Sequence, residues 1–200
     1  TLTFVPINSL NISLSANYDE NRRNQDQFVR NITYNNATRT IVAGVKQKTI
    51  RFTGRLSYNL TPDLTIQYYG QPYLTRPTYQ QFAYVVNPLA DKYVNRFLKY
   101  SSSQISESNG TYLIDENWDG ITDYSFGKPD FNFVQFRSNL VIRWEYRPGS
   151  ELFLVWSEGN TSDNYDDLQT PVFNSLFNNA FSGGNARNIF LVKWTYRFLR

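Results

Sequence analysis

Residues 188–200 read NIFLVKWTYRFLR. Phe190, Val192, Trp194, Tyr196 and Phe198 share one parity, and Leu191, Lys193, Thr195 and Arg197 share the other. Period-two alternation over this length marks a strand with two unlike faces. One face here is apolar and mostly aromatic, while the other carries cations. A soluble core strand rarely runs so far with so aromatic a face. A tilted membrane strand needs about 9–11 residues and sets aromatic girdles at both interfaces.

The pattern recurs along the chain. In TIRFTGRLSYNL, Ile50, Phe52, Gly54, Leu56, Tyr58 and Leu60 oppose Thr49, Arg51, Thr53, Arg55, Ser57 and Asn59. In SLNISLSANY, Leu10, Ile12, Leu14, Ala16 and Tyr18 oppose Asn11, Ser13, Ser15 and Asn17. In the stretch 134–146, Val134, Phe136, Leu140, Ile142, Trp144 and Tyr146 oppose Arg137, Asn139, Arg143 and Glu145.

Composition narrows the classes. The 200 residues contain no Cys, His or Met, which removes disulfides, thiolates, zinc sites of the usual ligands and His-assisted nucleophiles. The net charge of +3 is mild and the basic residues do not cluster, so nucleic acid is not an expected partner. Phe, Tyr and Trp make up 17% of the chain, yet no run approaches the ~18 apolar residues of a membrane helix. Aromatic richness without such a helix fits a soluble β-sandwich or a transmembrane barrel.

Turn chemistry separates the two. Pro6-Ile7-Asn8, Thr61-Pro62-Asp63 and Arg147-Pro148-Gly149-Ser150 are tight turns. Longer polar connections are expected at 35–38, 76–130 and 159–187, with DENRRNQDQ (19–27) projecting as a polar extension within a strand at 9–34. Strands at 39–60, 64–76, 131–147, 151–158 and 188–199 then put every tight turn on one side. Short turns at one end and long loops at the other are the outer-membrane arrangement. The expected fold class is all-β: an antiparallel transmembrane β-barrel with short periplasmic turns and long extracellular loops. Six strands and a stub at 1–5 predict the C-terminal portion of a larger barrel, with 77–130 as its longest extracellular loop.

Within that loop, DENWDGITD spans 115–123. Asp115, Asn117 and Asp119 stand at alternate positions, Gly120 permits a turn, and the Ile121 carbonyl and Asp123 follow. Oxygen ligands at that spacing suit Ca²⁺, which takes six to eight of them. Phe126 stands where an EF-hand has Glu, so the loop looks like the shorter calcium loops of thrombospondin type 3 and dockerin repeats. A structural Ca²⁺ is the expected cofactor; the other reading is an acidic, solvated turn. No catalytic set is expected: Asp163, Asp166 and Asp167 could form a carboxylate pair, but a solvated loop explains them better. Trp118 and the loop tyrosines are expected to pack within the loop. The inward cations Arg51, Arg55, Arg137, Arg143, Lys193 and Arg197 would bias a lumen toward anions unless carboxylates neutralise them.

Four stretches, ISLSANY (12–18), LTPDLTIQYYGQPYL (60–74), the run 115–159 and NIFLVKWTYRF (188–198), resemble a Bacteroidota-type outer-membrane family. Its members join an N-terminal domain similar to a family 9 carbohydrate-binding module to a C-terminal β-barrel of unknown function. This chain resembles the barrel part, most specifically at 127–159, where Lys128-Pro129-Asp130-Phe131-Asn132-Phe133 follows an Asp-rich segment as in the family. The resemblance implies a non-enzymatic protein of the Gram-negative outer membrane. Passage, docking or scaffolding at the cell surface would be its task, within an envelope complex handling glycans. Expected partners are outer-membrane lipid, other subunits of such a complex, and the outer-membrane assembly machinery. That machinery would read the final strand, with Phe198 as its terminal aromatic. The alternatives are a surface hydrolase with its active site outside this chain, or the end of a TonB-dependent transporter, whose barrels have 22 strands.

Overall fold

The computed structural model describes residues 1–164, 168–181 and 186–198, with backbone alone at 24–26 and 164. The strands are β1 (Leu2–Ile7), β2 (Leu10–Tyr34), β3 (Ala37–Thr61), β4 (Leu64–Val85), β5 (Phe97–Lys99), β6 (Ile105–Ser108), β7 (Thr111–Ile114), β8 (Tyr124–Gly127), β9 (Asn132–Arg147), β10 (Ser150–Asn164) and β11 (Arg187–Trp194). One helix, α1 (Val172–Ala180), lies between β10 and β11. The main sheet runs β1-β2-β3-β4-β9-β10-β11, with β5 added to β4. Each described register is antiparallel. The antiparallel β architecture expected from alternation is therefore present. The sheet is open, with β1 and β11 as its edges, and no closed barrel forms among the described residues.

Two of the three tight turns fall where Pro and Gly placed them. Pro62-Asp63 joins β3 to β4, and Pro148-Gly149 joins β9 to β10 with Gly149 at φ 73°. Three connections differ from expectation. Asn35-Asn36 is a two-residue hairpin with φ of 49° and 58°, the mirror-image turn whose twist matches that of strands. β1 continues to Ile7, so the first turn is Asn8-Ser9 rather than Pro6-Ile7-Asn8, and β2 then runs unbroken from Leu10 to Tyr34, as the strand expected at 9–34 requires. The stretch 77–130 is no simple loop: β4 continues to Val85, and a second antiparallel sheet, β6-β7-β8, follows. Asn109-Gly110, again both at positive φ, makes the β6–β7 turn.

The chain divides into two compact units: Thr1–Asp19, Thr49–Arg76 and Asn132–Arg200 form the first, and Glu20–Lys48 with Pro77–Phe131 the second. The second unit has its own core of Ile41, Ala43, Phe82, Ile114, Tyr124 and Phe126. Phe82 contacts Tyr112 and Phe126 at ring separations of 4.6 and 5.4 Å.

In the first unit, parity sorts the side chains. Registers place Ile66, Ile142, Leu154 and Val192 in one row, Leu64, Trp144, Leu152 and Trp194 on one side of it, and Tyr68, Leu140, Trp156 and Phe190 on the other. A polar row of Gly70, Ser138, Glu158 and Asn188 comes next. Beyond it, α1 covers the same face. Leu176 and Ala180 are buried with Ile50, Leu74, Val134 and Phe136, so Leu176→Ala should cost about 2–5 kcal/mol.

Candidate functional site

The acidic turn occupies 115–123, between β7 and β8. All five expected calcium positions lie on this one turn, and the side chains of Asp115, Asn117 and Asp119 face its own amides. Asp115 Oδ1 accepts from Trp118 N (2.7 Å) and Asp119 N (3.2 Å), and its Oδ2 from Gly120 N (2.9 Å). Gly120 holds φ 85°, which brings that N–H inward. Asn117 Oδ1 accepts from Asp119 N at 3.0 Å, and Asp119 Oδ1 from Ile121 N at 2.8 Å. Asp123 is occupied from two sides: Tyr34 donates its hydroxyl to Oδ1 at 2.6 Å, and Glu116 N reaches Oδ2 at 2.7 Å. The Tyr34 bond, with those amides, holds the Asp123 carboxyl below its usual range. Among the described residues no three acidic, His or Cys side chains gather as a metal-binding group. Oδ2 of Asp115 and both oxygens of Asp119 each keep a lone pair, so oxygen donors for Ca²⁺ remain on the turn.

The residue that alternation skipped, Glu116, anchors the turn. Arg39 on β3 donates Nε and Nη2 to its carboxylate at 2.8–3.1 Å, a forked, charge-assisted contact. Tyr124 donates its hydroxyl to the same carboxylate at 2.5 Å and pairs with the Tyr100 hydroxyl at 2.9 Å. The Arg39 guanidinium also lies 5.3 Å from the Tyr84 ring and 5.8 Å from the Tyr34 ring. Burial alone would raise the Glu116 pKa, but the Arg39 and Tyr124 hydrogen bonds outweigh it and the net shift is downward. Burial drives the Tyr124 and Tyr100 hydroxyls far upward and Tyr112 up to about 12, so these phenols stay protonated as donors. Tyr79, Tyr84, Tyr100, Tyr112 and Tyr124 pack in or against the core, as expected, while Tyr93 is exposed. Trp118 does not pack there either: it sits at φ 67° with 61% of its surface exposed.

The other candidate feature is the odd-numbered face of the first unit. Thr53 and Gln71 hydrogen-bond at 3.0 Å, Thr49 and Thr75 at 3.2 Å, and Asn139 and Ser157 at 2.9 Å, which ties odd residues of β3, β4, β9 and β10 to one side. Arg51, Arg55, Arg137, Arg143 and Lys193 lie on that parity. Arg143 is neutralised by Glu151, with Glu145 at 3.7 Å. Arg55 lies 5.4 Å from the Tyr69 ring, and Lys193 5.6 Å from the Phe153 ring. Arg197 instead lies at the β9–β10 turn, its amide bonded to Ser150 Oγ at 3.0 Å. Arg187, one residue before the expected strand start, joins the odd face opposite Gly159. Its parity with Lys193 was the available signal. Asp163 lies on β10 opposite Phe133, while Asp166, Asp167 and the terminal Leu199-Arg200 lie outside the described residues.

No family model, curated protein or solved structure matches this chain.

Proposed function

We propose that this chain is a non-enzymatic wall segment of a Gram-negative outer-membrane β-barrel, its even-numbered face against lipid and its odd face toward an aqueous interior. One observation carries the reading: an apolar face that continues across the sheet and remains exposed. Leu2, Phe4, Leu14, Tyr18, Leu60, Trp144, Phe190, Val192 and Trp194 all lie on it with about half or more of their surface open. A soluble protein seldom leaves so extended a patch uncovered.

The dimensions agree. From Leu140 to Tyr146, six residues rise ~20 Å along β9 at ~3.4 Å each; at a tilt of 35–45° this is about 15 Å, the turn-side part of a barrel's ~25 Å apolar band, with the polar row at Ser138 and the helix-covered Phe136 beyond it. Trp144, Tyr146, Trp194 and Tyr196 cluster at the turn end as an aromatic girdle would, and Trp194 Nε1 donates to the Tyr146 hydroxyl at 2.6 Å. In the same reading the final strand engages the assembly machinery. Docking, passage or scaffolding with glycan-handling envelope subunits follows from the sequence resemblance alone.

The test is heat-modifiable mobility. The chain folded into detergent should migrate faster on gels unboiled than boiled, and should pellet with vesicles after refolding. A monodisperse chain in detergent-free buffer, with one mobility regardless of heating, would overturn the reading.

A further inference from the structure

Across the odd face, register aligns Gln71, Arg137, Gly159 and Arg187 in one row over β4, β9, β10 and β11. Arg137 and Arg187 flank a strand position that has no side chain. Adjacent strands lie ~4.8 Å apart, so the two arginine backbones stand about 10 Å from one another, with an open floor between them. The Arg137 guanidinium leans over that floor: its Nη1 is 3.7 Å from where a Cβ on Gly159 would stand. Both arginines are exposed, and neither forms an ion pair among the described residues, in contrast to Arg143 with its two glutamates. The β10 carboxylates nearest along this face are Asp163 and Glu151, four and eight residues away. At ~3.4 Å per residue these are roughly 14 and 27 Å along the strand, beyond the ~8 Å screening length at physiological salt. Tyr69, Asn139, Ser157 and Thr161 line the same concavity with hydroxyl and amide groups, and Glu158 borders it from a position whose parity belongs to the opposite face.

We infer that Arg137 and Arg187, spanning Gly159, form an oxyanion-binding site for a solute bearing a phosphoryl or carboxylate group. Guanidinium groups are suited to it because their paired N–H donors match the two oxygens of such groups. Two cations with no ion pair among the described residues, about a ligand's width apart, leave positive potential that a bound oxyanion relieves, while the glycine leaves the volume that it fills. Asn139 and Ser157 offer neutral hydrogen bonds one row away. This site rests on the reading of the odd face as water-accessible, but its recognition chemistry does not require ion flow.

The experiment is calorimetric titration of the folded chain in zwitterionic detergent at low salt, with inorganic pyrophosphate, inorganic phosphate and acetate run in parallel. Saturable binding of at least one is expected. It should weaken at least tenfold in Arg137→Gln/Arg187→Gln, and also in Gly159→Leu, which fills the floor, while Arg143→Gln leaves it within twofold. Preference for the phosphates assigns a phosphoryl group, and preference for acetate a carboxylate. Absence of saturable heat, or equal affinity in all variants, overturns the site. Heat-modifiable mobility of the same samples reports the barrel reading independently, so the two fail separately.

Discussion

Leu154→Arg is the sharpest probe of which face meets lipid. Leu154 lies on β10 between Ile142 and Val192, with 42% of its surface open. It occupies the middle of three apolar rows; its partner Ile142 stands four residues from Tyr146, ~14 Å of strand and about 10 Å of depth at the usual tilt, close to the midplane of a ~25 Å band. Each row adds two residues, about 6.8 Å of strand and about 5 Å of depth at the usual tilt. An arginine there must bury its charge or stretch past the aromatic rows to reach water. At the bilayer centre this costs about 2–4 kcal/mol, a roughly 25- to 700-fold loss in the folding equilibrium. Leu152→Arg, one row nearer the turns among Trp144 and Trp194, has headgroups within reach, and its cost should fall toward about 1 kcal/mol. Ser157→Lys, on the odd face beside Asn139, should stay within about 0.5 kcal/mol.

Urea unfolding in phosphatidylcholine vesicles, followed by tryptophan fluorescence, measures all three variants. The order of cost should be Leu154, then Leu152, then Ser157. In water an exposed leucine tolerates arginine within about 0.5 kcal/mol. Equal, small effects at 154 and 152 would therefore refute a lipid-facing even side, and a larger cost at Ser157 would exchange the faces.

Calcium at the acidic turn predicts protection. With Ca²⁺ the 115–123 stretch should resist protease, chelator should remove that resistance, and Asp119→Ala should be sensitive in both conditions; a cleavage rate indifferent to chelator makes the turn a self-capped bend. The Glu116 anchor predicts acid lability of the second unit. A folded pKa below the unfolded value gives stability that is complete above about pH 4.3 and is lost as pH falls through the lower, folded value. Thermal melts between pH 5 and 3 should drop steeply in the parent and flatten in Glu116→Gln; identical slopes would remove Glu116 from the linkage.

The legible part of this molecule is what alternation and turn residues encode. Strands β3 and β9 and the turns at Pro62-Asp63 and Pro148-Gly149 follow from period two and from residues that accept turn geometry; β11 begins as alternation indicates but ends at Trp194, short of the expected 199. What escaped was short or mixed in period. Residues 105–127 form strands of four residues each, too short for alternation to stand out, although Asn109-Gly110 carried a strong hairpin signal. Helix α1 hid within an expected loop. Val172, Leu176 and Ala180 recur at helical spacing, and Phe173, Phe177 and Phe181 repeat it one residue on. Nothing local in Glu116 separated it from its acidic neighbours, because its partner Arg39 lies 77 residues away in sequence.

The lipid face and the oxyanion site both depend on parity, and parity depends on register. A slip of one residue would send Leu154 to the odd face and Arg137 to the even one. Two turns guard against it. At 149 the backbone holds φ 73°, where a β-carbon would be strained and would meet the Arg197 side chain, so glycine fits and the β9–β10 hairpin keeps one loop length. At the other hairpin, proline fixes its own φ and the Thr61 hydroxyl accepts from Asp63 N at 3.3 Å. From those turns the ladders run in step: Leu64 with Trp144, Leu152 with Trp144 and Trp194. Aromatic side chains thus gather at the turn end of one face, while Arg137 and Arg187 meet across Gly159 on the other. The separation of a greasy face from a cationic one is the consequence of a two-residue count kept from the turns outward.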